Sequence, residues 1–353
     1  NEIVIALIIF NWLILGGIGT LLARIITHRL WKATITGLGW LSLFLSAFSA
    51  LQILAIRELR DVVFIYGSSV GFYPTWLYSF LIITPYCLLL GFVLPYSLFV
   101  LRNEILDYPG ARIYITDNIG DISGGVLFSF ALVYLVTPLK AIFIAHLPLL
   151  VATYLLFAGQ RKRRLIIFLA VGLVTAVLVA GIFFEKASLM PPEGKLVYYR
   201  ETRYGRIEVH QDREQFTLFE DGIPVFSNQN ISIAEETIHY PLAQLTDAKN
   251  ILLISAEGGV MEELQKYALQ SVDYVELDPE VTSVQFRFGM IKKIPALNVI
   301  HQDGRAFLTH SKKIYDAIIV NLPEPDTFQI NRFYTDRFFE LAKDHLSKNG
   351  VLS

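Results

Sequence analysis

The chain changes character near residue 185. From Asn1 to about Phe184 almost every long run is apolar, whereas from Glu185 onward charged and apolar residues alternate as they do in a globular domain. The whole chain is 54% hydrophobic and only 18% charged, which is too apolar for an ordinary soluble protein. We therefore expect a membrane region followed by a soluble region.

Six segments of the first region are long enough to cross the hydrocarbon core of a bilayer, which takes about 20 apolar residues in a helix. They lie near 3–23, 37–56, 76–101, 121–137, 141–159 and 165–184. The first segment is too long for a signal-peptide core and leads into further spans, so we expect it to be retained. Residues 1–186 are thus predicted to be a transmembrane domain of about six helices in a lipid bilayer, and residues 187–194 to be a linker.

Lysine and arginine residues are distributed unevenly between the loops. Nine follow the first, third and fifth spans, and three follow the second and fourth. The nine are Arg24, Arg29, Lys32, Arg102, Arg112, Arg161, Lys162, Arg163 and Arg164; the three are Arg57, Arg60 and Lys140. Because cytoplasmic loops are enriched in these residues, the pattern predicts an extracytoplasmic soluble domain on a bacterial-type inner membrane.

A few polar residues fall in or near the predicted spans. We expect Asp117 and Asp121 to lie at the membrane interface, at the head of the fourth span, where water or a helix N-terminus can satisfy a carboxylate. The neighbouring glycines at 120, 124 and 125 favour close helix packing. His146 is interpreted as an interhelical hydrogen-bonding residue, with a quinone, haem or proton-transfer role as the alternative.

Charge and cysteine content exclude several classes of function. The net charge of −2 gives no footprint for a nucleic-acid partner. The single cysteine, Cys87, forms no intrachain disulfide. No Cys/His spacing typical of a metal site is present, and neither a dinucleotide fingerprint nor a P-loop occurs, which disfavours a nicotinamide enzyme or an NTPase.

The soluble region divides into two patterns. Residues 195–230 alternate with period 2 and have turn residues at Asp221 and Gly222, which predicts an antiparallel β-strand subdomain. Residues 231–353 alternate between apolar strands and helices, which is typical of a parallel sheet covered on both faces. The predicted fold class is therefore a multi-pass α-helical domain followed by an α/β Rossmann-like domain with a small antiparallel β-subdomain.

Polar residues follow the predicted parallel strands in an order that favours a nucleoside. Glu257, Gly258 and Gly259 occupy the first strand-to-helix turn, where glycine lets a ligand approach the backbone. Glu276 ends the second strand, where an acid commonly accepts hydrogen bonds from ribose hydroxyls, and Asp303 follows the third. Any one of these acids alone could equally be a helix cap.

The fourth strand ends differently. In DAIIVNLPEPDT an amide, Asn321, stands where a catalytic acid would be expected, and two prolines bracket Glu324. The prolines restrict the shape of the loop.

From about Val197 to Ser353 the sequence resembles the spermidine synthase (polyamine aminopropyltransferase) family. The similar segments are YYRETRYGRIEV and LFEDGIPVFS in its N-terminal strands, AEETIHYPL in its entry helix, VELDPEV in its ribose-binding strand, HQDGRAFL in its adenine-side turn and RFYTDRFFE after its catalytic loop. The first region resembles the multi-pass part of bacterial proteins that fuse such a domain to a membrane segment, chiefly through ARIYITDNIGDISGGVLFSF.

The resemblance implies a methyltransferase-type Rossmann-like fold that uses decarboxylated S-adenosylmethionine as a co-substrate, without a tightly bound cofactor. In that family an Asp at the position of Asn321 helps deprotonate the attacking amine, and a second Asp, at the position of Glu324, helps hold the amine chain. An amide cannot accept a proton at any useful pH. The family's Tyr-Gln pair is Tyr204 and Gly205 in this chain, and its Gly-Gly-Gly-Asp-Gly turn is SAEGG.

Three readings remain open. In the first, the chain is a membrane-bound aminopropyltransferase in which Glu324 and Asp221 assist the amine and Asn321 impairs activity. In the second, it is a pseudoenzyme, a non-catalytic membrane subunit whose domain binds a membrane or extracytoplasmic partner protein. The third keeps enzyme chemistry on a different nucleoside substrate. The family resemblance also implies that the domain continues beyond Ser353, and we expect further residues before Asn1.

Overall fold

The computed structural model describes residues 2–29, 32–65, 68, 70–105, 107–158, 164–190, 194–325 and 327–353. The chain forms two compact units, one of Ile3–Met190 and the other containing Pro191–Ser353. The predicted linker 187–194 spans the division. Within it Ala187–Leu189 is a short 3-10 helix, and residues 191–193 lie outside the described residues.

Long apolar helices make up the first unit. They are α1 Glu2–Arg29, α2 Ile35–Val63, α3 Phe72–Glu104, α4 Gly110–Leu127, α5 Val133–Leu135, α6 Pro138–Ala158 and α7 Arg164–Phe184, with a π-helical turn, Phe128–Leu132, between α4 and α5. Within the described residues, six helices are long and apolar enough to cross a membrane, if Gly110–Leu135 is counted as one. Each overlaps one predicted span. Residues 161–163, which contribute to the charge pattern between spans, lie outside the described residues.

The fourth span differs from its prediction. It runs over Gly110–Leu135 instead of 121–137, so Asp117 and Asp121 lie inside the helix and not at its head. The expectation that these carboxyls sit at a helix end was therefore wrong. Their polarity lowers the local hydropathy, but it does not interrupt the backbone hydrogen bonding that makes the helix continuous.

Helix α2 is the centre of the first unit. Its residues Leu43 and Ala50 are buried with Phe157 of α6 and Leu178 of α7 in one apolar cluster. At the end of that bundle the buried carboxylate of Glu185 accepts hydrogen bonds from the Thr137 hydroxyl and from the Leu139 backbone N–H, 3.0 Å away. Glu185 thereby caps the N-terminus of α6, where a negative charge is favourable. Arg57 of α2 lies 3.9 Å from the same carboxylate.

The second unit begins with a four-stranded antiparallel sheet of order β1-β2-β3-β4. Its strands are β1 Lys195–Glu201, β2 Arg206–Asp212, β3 Gln215–Glu220 and β4 Ile223–Ser227. Glu220 pairs with Ile223, so Asp221 and Gly222 form a two-residue hairpin turn with φ values of 51° and 82°. These left-handed angles are what such a turn requires, which confirms the turn predicted from the sequence.

The rest of the second unit is a parallel five-stranded sheet of order β7-β6-β5-β8-β9, in which every pairing is parallel. The strands are β5 Asn250–Ile254, β6 Ser271–Glu276, β7 Leu297–His301, β8 Tyr315–Val320 and β9 Leu346–Leu352. The helices are α8 Ile231–Leu242, α9 Val260–Leu264, α10 Pro279–Arg287, α11 Gly304–His310, α12 Phe328–Asn331 and α13 Asp336–Asp344. This is the predicted Rossmann-like fold.

Alternate residues of the central strand β5 point to opposite faces of the parallel sheet. Ile251 and Leu253 are buried in one apolar cluster, and Leu252 and Ile254 are buried in another. The strand is thus covered on both sides, as its continuous apolar sequence predicts. From β5 the sheet is extended on one side by β6 and β7 and on the other side by β8 and β9. A ligand crevice is expected at the carboxyl ends of β5 and β8, where the strand order reverses.

One charged residue, Asp273, is fully buried in the parallel sheet. Its carboxylate accepts hydrogen bonds from Tyr315 at 2.7 Å, from Lys313 at 2.8 Å and from Asn298 at 3.0 Å. Burial raises the pKa of Asp273, but these hydrogen bonds outweigh it and leave the pKa below its ordinary value. The charged carboxylate of Asp273 therefore links β6 to β7 and to β8 through hydrogen bonds.

We expect Asp273→Ala to lower the free energy of unfolding of the second unit by about 3 kcal/mol, because it leaves a buried tyrosine hydroxyl and an amide without their acceptor. The contribution of Asp273 is fully present above its unfolded pKa and is lost as the pH falls through the lower folded pKa. Hydrogen exchange of peptides from β6 and β8, measured by mass spectrometry at pH 7 and at about pH 2.5, checks both points.

Asp247→Ala is the matched control, because Asp247 forms an exposed ion pair with Lys249. Exposed pairs contribute well under 1 kcal/mol. Equal effects of the two substitutions would contradict a special role for Asp273.

Candidate functional site

The predicted nucleoside-side residues and Asn321 follow parallel strands at one edge of the sheet. Glu276 is the last residue of β6, Glu257 lies three residues after β5, and Asn321 directly follows β8. The Asn321 backbone N–H donates to the Ile254 carbonyl at 2.9 Å, which brings the ends of β8 and β5 together. The turn after β5 and the loop after β8 therefore meet where the strand order reverses.

Glu276 is held in place by donors of its own turn and of the turn after β5. Its Oε1 accepts from the backbone N–H groups of Leu277 at 2.7 Å and Asp278 at 3.3 Å, and its Oε2 accepts from the Ser255 hydroxyl at 3.2 Å. Burial raises the pKa of Glu276, and these hydrogen bonds oppose the rise. A carboxyl fixed in this way at a strand end is suited to accept hydrogen bonds from vicinal hydroxyls.

Ser255 has an unusual backbone conformation. Its φ of 59° is in the left-handed region, which non-glycine residues occupy only at a cost of about 1 kcal/mol or more. The turn SAEGG thus has a backbone suited to glycine at a position occupied by serine. The Ser255 hydroxyl contacts Glu276, so the residue that bears the strain also holds the candidate ribose-binding acid.

The two glycines of this turn are required for different reasons. Gly259 has a φ of 88° and precedes α9, so a side chain there would be strained. Gly258 lies against the Ser227 carbonyl of β4, where a Cβ atom would overlap the backbone. Its missing side chain is therefore required by the contact with β4, whereas the sequence suggested room for a ligand.

Glu257 is buried in the same turn. Its carboxylate accepts a hydrogen bond from the Asn230 side-chain amide at 2.5 Å. Burial raises the pKa of Glu257, and the Asn230 hydrogen bond partly offsets the rise. Asn230 was not recognised in the sequence because it precedes α8, 27 residues before its partner.

Asp303 has both carboxylate oxygens engaged. Oδ1 accepts from the Ala306 backbone N–H at 2.9 Å, which makes Asp303 the N-cap of α11, and Oδ2 forms an ion pair with Arg332. The helix-cap alternative considered for strand-end acids is therefore realised at Asp303. Its role in binding a nucleoside stays a prediction.

The acceptor-side residues are less constrained. Asn321 has a buried side-chain Nδ2 atom with no hydrogen-bond partner in the described part of the chain, and Glu324 is exposed in the loop that follows. Tyr204 is 47% exposed. Asp221 accepts a hydrogen bond from the Arg206 backbone N–H at 2.9 Å, so it stabilises its own hairpin. A role for these residues with an amine stays a prediction.

Glu220 is a further carboxyl of this region that sequence reasoning missed. Burial and the negative charges of Glu276, Asp221 and Asp278 raise the pKa of Glu220 to about 8. The period-2 alternation of β3 could have revealed it, because Glu220 shares a strand face with Phe216 and Leu218, which pack in the apolar cluster between the small sheet and α10. Burial of an acid costs free energy of folding, so an acid at an inward-facing position indicates either a functional role or a loss of stability.

We expect Glu220→Gln to stabilise the second unit increasingly as the pH rises. The pKa of Glu220 is higher in the folded than in the unfolded state. The free energy of unfolding therefore falls between about pH 4.5 and pH 8, by up to about 1.4 kcal/mol for each pH unit. The variant escapes this loss. Hydrogen exchange of β3 and β6 peptides at pH 5 and pH 8 measures it, and a variant whose gain is the same at both pH values would contradict the assignment.

Parts of this chain are similar in sequence to known proteins. Residues 231–353 match the spermine/spermidine synthase domain family. The chain is 30% identical over 271 residues to a polyamine aminopropyltransferase of Oceanobacillus iheyensis, covering 71% of this chain and 53% of the relative. It is 25% identical over 296 residues to a polyamine aminopropyltransferase of Leptospira interrogans, covering 77% of this chain and 59% of the relative.

Among solved structures, a spermidine synthase in complex with the transition-state analogue AdoDATO is similar, with 20% identity and a TM-score of 0.41 over 45% of this chain and 58% of the other. The spermidine synthase of Thermotoga maritima gives 19% identity and a TM-score of 0.40 over 45% of this chain and 57% of the other.

The chain spans about half the length of the curated relatives it matches. The 271-residue alignment is longer than the second unit, so it extends into the apolar helical region. The chain therefore contains a spermine/spermidine synthase domain and is a homologue of the polyamine aminopropyltransferases.

Proposed function

We propose that this chain is a multi-pass membrane protein whose second unit binds decarboxylated S-adenosylmethionine and transfers its aminopropyl group to an amine, at a rate limited by Asn321. The observation that carries the proposal is the fixed carboxyl of Glu276, at the end of β6 and beside the SAEGG turn, in a domain homologous to aminopropyltransferases. Glu257 and Asp303 belong to the same nucleoside side.

The proposed reaction requires a neutral amine. Its nitrogen lone pair attacks the aminopropyl carbon bound to the sulfonium, the carbon–sulfur bond breaks, and methylthioadenosine leaves as a neutral thioether. A protonated amine has no lone pair, so a group must accept its proton before or during attack. Asn321 cannot do so. Glu324, assisted by Asp221, is the remaining candidate, and it is exposed in the loop that follows β8.

The residues on the acceptor side are also consistent with a second function. An amide at the strand end and an exposed Glu324 are also what a non-catalytic subunit would retain if its domain served to bind a partner protein. Nucleoside binding separates the two proposals, because a scaffold does not require it.

The six apolar helices support placement in a membrane, which we propose to be a bacterial-type inner membrane. The lysine and arginine pattern supports cytoplasmic odd-numbered loops and an extracytoplasmic second unit. With that orientation, an active enzyme would need decarboxylated S-adenosylmethionine outside the cytoplasm, so the orientation bears on which of the two functions operates.

Calorimetric titration of the detergent-solubilised chain with decarboxylated S-adenosylmethionine, and separately with methylthioadenosine, tests nucleoside binding. We expect a Kd in the micromolar range, about −8 kcal/mol. Glu276→Ala should weaken binding at least tenfold, because it removes the hydrogen-bond acceptor for the ribose. Glu214→Ala, in an exposed turn, is the control and should bind like the parent. If neither nucleoside binds, the enzyme proposal is wrong and the partner-binding proposal stands.

Asn321→Asp should raise kcat/KM for putrescine by about 100-fold, since general base catalysis contributes at least that much. Turnover is followed as methylthioadenosine released from decarboxylated S-adenosylmethionine. Asn331→Asp makes the same chemical change at an exposed position at the end of α12 and should leave the rate unchanged. Nucleoside binding without any gain in the Asn321 variant would show that the acceptor side differs in more than its base.

A membrane-impermeant maleimide tests orientation in intact cells. In a Cys87→Ala background, Glu214→Cys should be labelled if the second unit is extracytoplasmic, and Glu104→Cys, at the end of the third span, should be protected. Gly194 is unsuitable as a label site, because its φ of 81° and its contact with the Gln211 carbonyl disfavour any side chain. The reverse labelling pattern would place the second unit in the cytoplasm.

A further inference from the structure

The Glu220 carboxyl lies on the face of the small sheet that packs against α10. Glu220 is the last residue of β3 and pairs with Ile207 of β2, which is buried in the apolar cluster with α10. Leu218, two residues earlier on β3, is buried in the same cluster. Residues paired across an antiparallel ladder, and residues two apart on one strand, point to the same face. Glu220 therefore points toward the region where β6 leads into α10.

That region is tied to the small sheet by three side-chain contacts. The Thr202 hydroxyl donates to the Asp278 carboxylate at 2.7 Å, in the turn between β6 and α10. The Tyr198 hydroxyl donates to Glu280, in the first turn of α10. The Arg200 guanidinium lies 2.7 Å from the same carboxylate. These contacts hold the face that carries Glu220 next to the turn that follows the candidate ribose-binding acid.

The charges that act on Glu220 within the described chain are all negative. They belong to Glu276 at the end of β6, Asp221 in the hairpin turn and Asp278 in the turn before α10. Arg200 is on the same face of the small sheet, but Ile207 separates it from Glu220 and its guanidinium pairs with Glu280. Burial and the three negative charges raise the pKa of Glu220 to about 8, and neither a hydrogen bond nor a positive charge from the described residues opposes the rise.

Neighbouring strands do not supply the missing cation. Tyr274 of β6 is buried, and its hydroxyl donates to Gln285 at 2.8 Å. Arg206 of β2 precedes the inward-facing Ile207 and so points to the opposite face, where it lies 3.1 Å from Glu208. Among the residues that the structure describes, no three acidic, histidine or cysteine side chains are arranged to hold a metal ion.

A nucleoside donor bound at Glu276 would bring a positive charge to this region. In decarboxylated S-adenosylmethionine the sulfonium sulfur is bonded to the 5′ carbon of the ribose, so a ribose held by Glu276 places that charge close by. In methylthioadenosine, which is left after transfer, the same sulfur is a neutral thioether. A nearby positive charge favours the ionised form of a carboxyl, whereas a neutral sulfur does not.

We propose that Glu220 is a specificity-determining residue that loses its proton when the sulfonium donor binds, and that the resulting carboxylate favours the charged donor over the neutral thioether product. The proton passes to solvent on binding. When the carbon–sulfur bond breaks, sulfur keeps the electron pair and loses its charge, and Glu220 takes up a proton from solvent again. The inference deepens the proposed function and rests on the proposed nucleoside site.

Calorimetric titration of the detergent-solubilised chain in phosphate and in Tris measures the proton release, because these buffers differ in enthalpy of protonation. At pH 7 decarboxylated S-adenosylmethionine should release most of one proton for each bound molecule, and methylthioadenosine should release few or none. Because proton release and binding are linked, the Kd of the donor should fall about fivefold from pH 6.5 to pH 7.5, whereas the Kd of methylthioadenosine should change less than about twofold.

Glu220→Gln keeps the shape of the protonated carboxyl but cannot ionise. The variant should bind methylthioadenosine like the parent, which also reports that the unit is folded. It should bind the donor about fivefold more weakly than the parent at pH 7.5, without the extra proton release. Glu214→Gln is the matched control, since it makes the same change in the exposed turn between β2 and β3, and it should bind both nucleosides like the parent.

The possible failures have distinct signatures. Equal proton release with the two nucleosides, or extra release that persists in Glu220→Gln, would overturn the inference and leave the proposed nucleoside site intact. If the parent binds neither nucleoside, the nucleoside site is wrong and the inference falls with it. Putrescine is titrated alone as a further arm. Proton release with putrescine and not with the donor would show that Glu220 recognises the acceptor amine, which would also overturn the inference.

Discussion

Every buried peptide N–H and C=O group needs a hydrogen-bond partner, and both units of this chain are arranged around that requirement. In the first unit, helices meet it within single segments, which is the condition for crossing a bilayer. In the second unit, β5, β6 and β8 meet it between segments, and their pairing fixes which residues leave the sheet at the same edge. The candidate site follows from that alignment, because Glu276, Glu257 and Asn321 are far apart in sequence.

The two sides of the candidate site are built with different rigidity. On the proposed nucleoside side, Glu276 and Asp303 each accept backbone N–H bonds, so their carboxyl groups are fixed by the protein itself. On the proposed acceptor side, Asn321 brings no charge and Glu324 is exposed. Glu220 adds little negative charge at neutral pH, because its raised pKa keeps it largely protonated. A polyamine, which is a cation, would thus meet a weaker field than the number of carboxyls suggests.

Much of the fold was predictable from local pattern. Strand and helix alternation predicted the parallel sheet, and the Asp221-Gly222 pair predicted a hairpin turn that the structure confirms. Both signals are local, since period and turn chemistry act over a few residues. The start of the fourth span was not predictable from hydropathy, because Asp117 and Asp121 lower the average while leaving the helix intact.

Contacts between residues far apart in the chain could not be predicted from the sequence either. The ion pair of Asp303 with Arg332 and the hydrogen bond of Glu257 with Asn230 join residues separated by 29 and 27 positions. Nothing in either local segment encodes its partner, since such pairs depend on how whole elements pack. The sequence named Glu257, Glu276 and Asp303 as candidate site acids and missed Glu220, and it did not show which groups hold any of them.

The contact between Gly258 and the Ser227 carbonyl has a mechanical consequence. Two backbones that touch without an intervening side chain cannot slide past or tilt toward each other independently. Movement of β4 toward the turn after β5 is therefore restricted at this contact. Because the same turn contains Glu257 and the Ser255 hydroxyl that contacts Glu276, a displacement of β4 toward the turn would press on the backbone that positions both acids.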